Sequence, residues 1–161
     1  MPTMRHSICA LAVLALLAAA VPALASELDR AEYEAQVEPI CKTNSEANAH
    51  ILKGVRAKVR QGHLAAAGRQ LIRAAAALRK TLTELRAVPR PAADEARLTE
   101  WLKRVNREAT LLQQSGKALK AGNRHRAEVL QVRLYSGERL TNSLVVAFGF
   151  HYCSFDSSKY S

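Results

Sequence analysis

Two widely separated cysteines, Cys41 and Cys153, set the strongest limit on how this chain can fold. A bond between them ties the early part of the chain to its end and fixes which ends of a helical bundle lie together. Closing a loop of about 110 residues contributes roughly 4–5 kcal/mol in the chain-entropy account of the unfolded state. Such a bond also calls for an oxidising compartment outside the cytoplasm. The third cysteine, Cys9, lies at the start of the apolar run of an export signal and is expected to leave with it.

Residues 1–25 have the form of a secretory signal peptide. Arg5 supplies the positive charge, Ile8 through Ala20 form an apolar run, and Pro22 interrupts it. Ala23-Leu24-Ala25 then offers small residues for cleavage before Ser26. The run is short for a membrane span, and no later segment approaches about 18 apolar residues. The expected product is one domain over residues 26–161, secreted or held in the cell envelope, with no transmembrane segment after signal cleavage.

That domain is rich in Ala, Leu, Arg, Glu and Lys and poor in β-branched and aromatic residues, a composition that favours helix. Apolar spacing agrees. Residues 64–88 place Leu64, Ala67, Leu71, Ala74, Leu78, Leu85 and Val88 on three- and four-residue steps. Residues 93–121 do the same with Leu98, Trp101, Leu102, Val105, Ala109, Leu112 and Leu119, and residues 124–148 with Ala127, Leu130, Leu134, Gly137, Leu140, Leu144 and Phe148. The first long helix is expected over about residues 39–61, with Ile40, Asn44, Ala47, Ile51, Val55 and Val59 along its seam and Pro39 in its first turn. A short helical piece over residues 29–36 precedes it. Gly62, the Pro89-Arg90-Pro91 break and Gly122-Asn123 make three short connections.

The fold class is therefore all-α, an up-down-up-down antiparallel four-helix bundle with a short N-terminal helical segment. In that topology the start of the first helix and the end of the last share one end, which is where Cys41 and Cys153 fall. An offset of 60 also aligns Leu52 with Leu112, Val59 with Leu119, Gly62 with Gly122 and Ala67 with Ala127. Either two duplicated hairpins or a shared heptad pattern accounts for that match.

The chain resembles uncharacterised exported helical-bundle proteins of high-GC actinobacteria. The residues that carry the resemblance are Glu38-Pro39-Ile40-Cys41, the Gly-centred hairpin Arg60-Gln61-Gly62-His63-Leu64, a Pro-containing middle, and the close Phe148-Gly149-Phe150-His151-Tyr152-Cys153. The resemblance implies the bundle and no activity.

Catalytic motifs are absent from the sequence. It has no G-x-S-x-G, no H-E-x-x-H, no Gly-rich phosphate loop and no second cysteine pair for zinc. Glu46 and His50 read as an exposed helix pair, since a di-iron bundle needs carboxylates from all four helices. For haem there is no C-x-x-C-H, and Met1 and Met4 both lie in the signal. No catalytic residue, metal or cofactor is expected, and the chain reads as a non-enzyme.

Charge is the remaining functional signal. The formal net charge is +10, or about +9 once Arg5 is removed. Acidic residues cluster early, at Glu27, Asp29, Glu32, Glu34, Glu38 and Glu46, whereas residues 47–83 and 109–127 contain none. The first hairpin tip carries Lys53, Arg56, Lys58, Arg60, His63 and Arg69, and the second carries Lys117, Lys120, Arg124, His125 and Arg126. A bundle brings the two tips to one end. The candidate anion-binding set is Lys58, Arg60, His63, Lys117, Lys120, Arg124, His125 and Arg126. Phe148, Phe150, Tyr152, Phe155 and Tyr160, with Tyr33 and Trp101 nearby, are expected at the opposite end as a small core around the disulfide.

The functional expectation is an exported interaction protein that contacts anionic envelope polymer or lipid headgroups through its basic tip, without specific nucleic-acid recognition. The alternative is a carrier for a small hydrophobic ligand between the helices or under the C-terminal aromatic cap.

Overall fold

In a computed structural model the described residues are 29–154; the expected signal peptide over residues 1–25, Glu27, Phe155 and Tyr160 lie outside them. The described chain is all-helical, with no strand. Its helices are α1 (Arg30–Leu52), α2 (Val55–Arg60), α3 (Leu64–Ala87), α4 (Glu95–Lys120) and α5 (Arg124–Ser143), joined by 3-10 turns at Ala92–Asp94 and Val146–Phe148. Four of these helices are long, as a helical bundle requires.

The first helix departs from expectation. It is one continuous helix from Arg30 through Pro39 to Leu52, not a short piece followed by a helix starting at the proline. Asp29 opens it with a capping box: Asp29 Oδ1 accepts from the Glu32 N–H at 2.8 Å, and Glu32 Oε2 accepts from the Asp29 N–H at 3.1 Å. Pro39 costs the helix one N–H donor, yet packing of Tyr33, Val37 and Cys41 on either side of it keeps the helix running.

The break comes later, at Lys53-Gly54. Gly54 has φ +72°, a left-handed conformation that favours glycine. The Gln70 side-chain amide of α3 donates to the carbonyls of Ile51 and Lys53 at 2.8 and 3.1 Å, satisfying groups the broken helix leaves free.

Two inward registers also differ from the expected seams. In α1 the buried residue is Asn48, and Ala47 is exposed. In α5 the buried residue is Thr141, whereas Leu140 is 57% exposed. The helix of α5 stops at Ser143 and the chain continues as a turn, so Val145 and Phe148 reach the core from outside it.

α3 packs against α4, α4 against α5, and α1 against α3. The α3–α4 contact leaves no room for a side chain at Gly68 and Gly116. A Cβ on Gly116 would lie 2.7 Å from the Gly68 carbonyl oxygen and 2.8 Å from Ile72 Cγ1.

Buried apolar residues fall into two clusters. One joins Tyr33, Val37, Leu82, Leu98, Trp101 and Phe148 around the Cys41–Cys153 bond. The other joins Leu52, Val55, Leu71, Leu119, Ala127 and Leu134 toward the hairpin tips. Tyr33, Trp101, Phe148 and Phe150 are thus part of a main core cluster, not a satellite, whereas Tyr152 is exposed.

Cys41 and Cys153 form a disulfide, with sulfurs 2.05 Å apart and Cα atoms 5.0 Å apart. Glu38 fastens the same segment, its carboxylate accepting from the backbone N–H groups of Tyr152 and Cys153 at 3.0 and 3.2 Å. Phe148 and Phe150 stack at 5.2 Å between centroids, and Trp101 lies 5.8 Å from Phe150.

Candidate functional site

Both hairpin tips end their helices with the same hydrogen-bond device. At the first, the His63 N–H reaches back to the Lys58 carbonyl at 2.8 Å and the Gly62 N–H to Val59 at 3.2 Å. At the second, Asn123 reaches Ala118 and Gly122 reaches Leu119, both at 2.9 Å. Gly62 and Gly122 take φ +80° and +76°, the left-handed residue this helix stop requires. The aligned glycines at offset 60 therefore close two equivalent turns.

The two tips lie side by side. A Cβ on Gly68, in the second turn of α3, would meet the Lys120 backbone N at 2.8 Å, in the last turn of α4. Lys58, Arg60 and His63 therefore share one end of the molecule with Lys117, Lys120, Arg124, His125 and Arg126. All of these side chains are exposed except Lys58, which is half-buried. Lys117 and Lys120 lie in the last turn of α4 and Lys58 and Arg60 in the last turn of α2, where cations complement the carbonyl end of a helix.

The start of α5 is less open to an anion than charge alone suggests. Asn123 Oδ1 already accepts from the Arg126 backbone N–H at 2.9 Å. Arg124 Nε lies 3.2 Å from Glu128 Oε1, one turn on. The helix terminus itself is thus capped, and what remains available at this end is side-chain charge.

Arg60 and Arg124 meet on one feature, the rim of an open groove that also includes Arg56. The groove lies between the α1–α2 side of the molecule and α5, over α3 and α4. Lys58, His63, Lys117, Lys120, His125 and Arg126 lie outside its lining.

At the other end, acidic residues are engaged internally. Arg30 holds Asp94 through two bonds, Nε to Oδ2 at 2.5 Å and Nη2 to Oδ1 at 2.8 Å, and Arg97 lies 3.9 Å from the same carboxylate. The hydrogen bond from Arg30, with the charges of Arg30 and Arg97, holds the Asp94 carboxyl below its ordinary range, against the opposing effect of burial.

One buried acid escapes a stripe drawn through apolar residues. Glu108 lies between α4 and α5, where one of its oxygens, Oε1, accepts the Thr141 hydroxyl and the other, Oε2, has no partner among the described residues. Burial pushes its carboxyl up to about 7, Glu138 adds to the rise, and Thr141 and Arg104 oppose it. The signal was present: Trp101, Val105, Glu108, Leu112, Ser115 and Leu119 follow alternating four- and three-residue steps, with a carboxylate in the stripe.

Among the described residues no three His, Cys, Asp or Glu side chains gather as a metal site, and no helix is long and apolar enough to cross a membrane. Glu46 faces Lys42 at 4.0 Å, and His50 is exposed. No protein-family model, curated protein or solved structure matches the chain.

Proposed function

We propose that the chain is an exported, non-enzymatic binding protein, built as an up-down-up-down antiparallel bundle, whose cationic end contacts anionic envelope material. The observation that carries this reading is the convergence of the two hairpin tips at Gly68 and Lys120, which gathers basic residues from α2, α4 and α5. The pairing of Arg30 with Asp94 at one end of α1, and of Ile51 with Gln70 near the other, supports the antiparallel arrangement of α1 and α3. The Cys41–Cys153 disulfide supports export, since such bonds persist in oxidising compartments. The basic tip carries charge without a nucleophile set against a base, which favours binding over catalysis.

Position and total charge are separable. Reversing Arg60, Arg124 and Arg126 to Glu is expected to abolish retention on heparin and on anionic vesicles at low salt. Reversing Lys80, Arg86 and Lys103 to Glu changes net charge equally, but at the other half of the bundle. Lys80 and Lys103 make only exposed pairs, with Glu84 at 3.9 Å and Glu100 at 3.6 Å, so their loss costs little. This control is expected to retain most binding, because screening confines exposed charges to about 8–10 Å. Wild-type binding should fall steeply with added salt, as the gain from counterion release shrinks. Equal losses from both triple variants would reduce the effect to bulk charge and end the reading.

A further inference from the structure

We infer that the groove beside the cationic end holds the apolar chain of a single anionic amphiphile, with the anionic head at Arg56, Arg60 and Arg124. This inference rests on the cationic-end reading for the head and adds a site for the tail.

The groove exists because α5 packs along α4 while α1 and α2 pack on α3, so the outer helices leave a gap between them. Val55 and Val59, one turn apart on α2, form one wall with Leu52. Leu112 and Leu119 of α4 form its floor, and Ala127 and Leu134 of α5 belong to the opposite wall. Its volume is about 470 Å³, within the range of small-molecule sites.

Polarity runs along the groove, not across it. Arg56, Arg60 and Arg124 are on the rim toward the hairpin tips, and Asn48 and Tyr135 are at the far end. Glu128 is the one carboxylate in the lining, and it is engaged by Arg124. The lining thus carries three guanidinium groups against one carboxylate, a net positive rim over an aliphatic trough. From Arg124 to Tyr135 the α5 wall spans about 16 Å at helical rise.

A polyanion without an apolar part would satisfy the rim and leave the trough exposed to water. An uncharged lipid would fill the trough and leave the rim charge of Arg56 and Arg60 unmatched, since Glu128 is held by Arg124. A single-chain amphiphile with a phosphate or carboxylate head satisfies both. Val132, 63% exposed on α5 and part of the lining, offers the chain a way in from the side.

Calorimetric titration with dodecyl phosphate, below its micelle concentration, tests the site. One molecule is expected per chain, at least tenfold tighter than either butyl phosphate or uncharged dodecyl maltoside. Gln131→Trp, at a half-buried wall position, fills the groove without changing charge. It should weaken dodecyl phosphate at least tenfold and leave heparin retention unchanged. Val59→Trp, from the facing wall, should do the same, so a folding defect in one variant does not remove the test. Arg60→Glu with Arg124→Glu should weaken both ligands. Equal binding of dodecyl and butyl phosphate, or an undiminished affinity in both Trp variants, overturns the groove and leaves the cationic end standing. Several amphiphiles per chain, or binding to vesicles alone, overturns it too. A wild-type protein that binds dodecyl maltoside as tightly as dodecyl phosphate, and ignores heparin, overturns the anionic head and the cationic-end reading together.

Discussion

Gly68 and Gly116 lie face to face where α3 meets α4, so close that neither position has room for a methyl group. A Cβ on Gly116 would sit 2.7 Å from the Gly68 carbonyl oxygen, and one on Gly68 would sit 2.8 Å from the Lys120 nitrogen. These obstacles are backbone atoms, which cannot rotate away. The crossing also sets how near the two hairpin tips approach, so it positions the cationic end as well as the core.

Gly68→Ala and Gly116→Ala are each expected to destabilise the protein by about 1–3 kcal/mol, the cost of overpacking a tight contact. Gly137→Ala is the control. It sits inside α5, where an added Cβ would meet nothing within 4 Å, and its φ is not positive. There the substitution should be neutral or stabilising by up to about 1 kcal/mol. Urea unfolding of the three variants checks the contrast, which fails if all three shift alike.

Removing the disulfide should separate stability from structure. The Cys153→Ser protein is expected to lose about 2–5 kcal/mol while keeping its helical content. The two buried clusters and the Glu38 bonds to the Tyr152 and Cys153 backbone do not depend on the sulfurs. Circular dichroism and thermal unfolding decide it, and a chain with no helix after the substitution would refute the claim. Peptide mapping under non-reducing conditions should recover the Cys41–Cys153 pair from protein taken from its native compartment.

Where apolar residues occupy the inward positions, the fold is legible in the sequence. α3 and α4 bury nearly all the side chains their spacing predicts, and the two cysteines meet as expected. Legibility fails where polar residues take those places. Asn48 and Thr141 are inward, so a stripe drawn through apolar residues alone slips by one to Ala47 and Leu140. The break at Gly54 is hidden for a different reason. It depends on Gln70, nearly two turns into α3 and beyond the hairpin, donating to the carbonyls of Ile51 and Lys53. The basic residues of the tips are visible in the sequence. The groove is not, because it arises from α5 packing along α4 without closing on the α1–α2 side.

The Arg30 fork on Asp94 makes a distinction between charge and geometry. Asp94 has a side chain only 2% exposed, and its two oxygens each receive a guanidinium N–H. Arg30→Lys keeps the charge but loses the paired geometry, so it should lower the urea midpoint at pH 7, and Arg30→Ala should lower it further. Because the partner holds the Asp94 carboxyl below its ordinary value, the stability it contributes is present above the ordinary carboxylate range and is lost as pH falls. The gap between wild type and Arg30→Ala should therefore narrow in acid. A gap that is the same at pH 3 and pH 7 would show that the ion pair contributes nothing through ionisation.

Glu108 predicts the opposite slope. Its carboxyl ionises near 4.5 ordinarily and is pushed up to about 7 in the fold, chiefly by burial. Between those values the folded protein keeps a proton that the unfolded chain gives up, so stability falls as pH rises through the window. The full effect is on the order of 3 kcal/mol, complete above pH 7. The protonated acid also suits the site, since Oε2 has no partner among the described residues. Glu108→Gln retains the shape and an acceptor for Thr141 without the titration. Its stability relative to wild type should therefore rise from pH 4.5 to pH 8, with the largest advantage at the alkaline end. Thr141→Val removes a hydrogen bond that favours the ionised form, and so should steepen the wild-type loss toward alkaline pH. Urea midpoints across that range measure both slopes, and a Glu108→Gln difference that stays flat would mean the carboxyl ionises at its ordinary value in the fold.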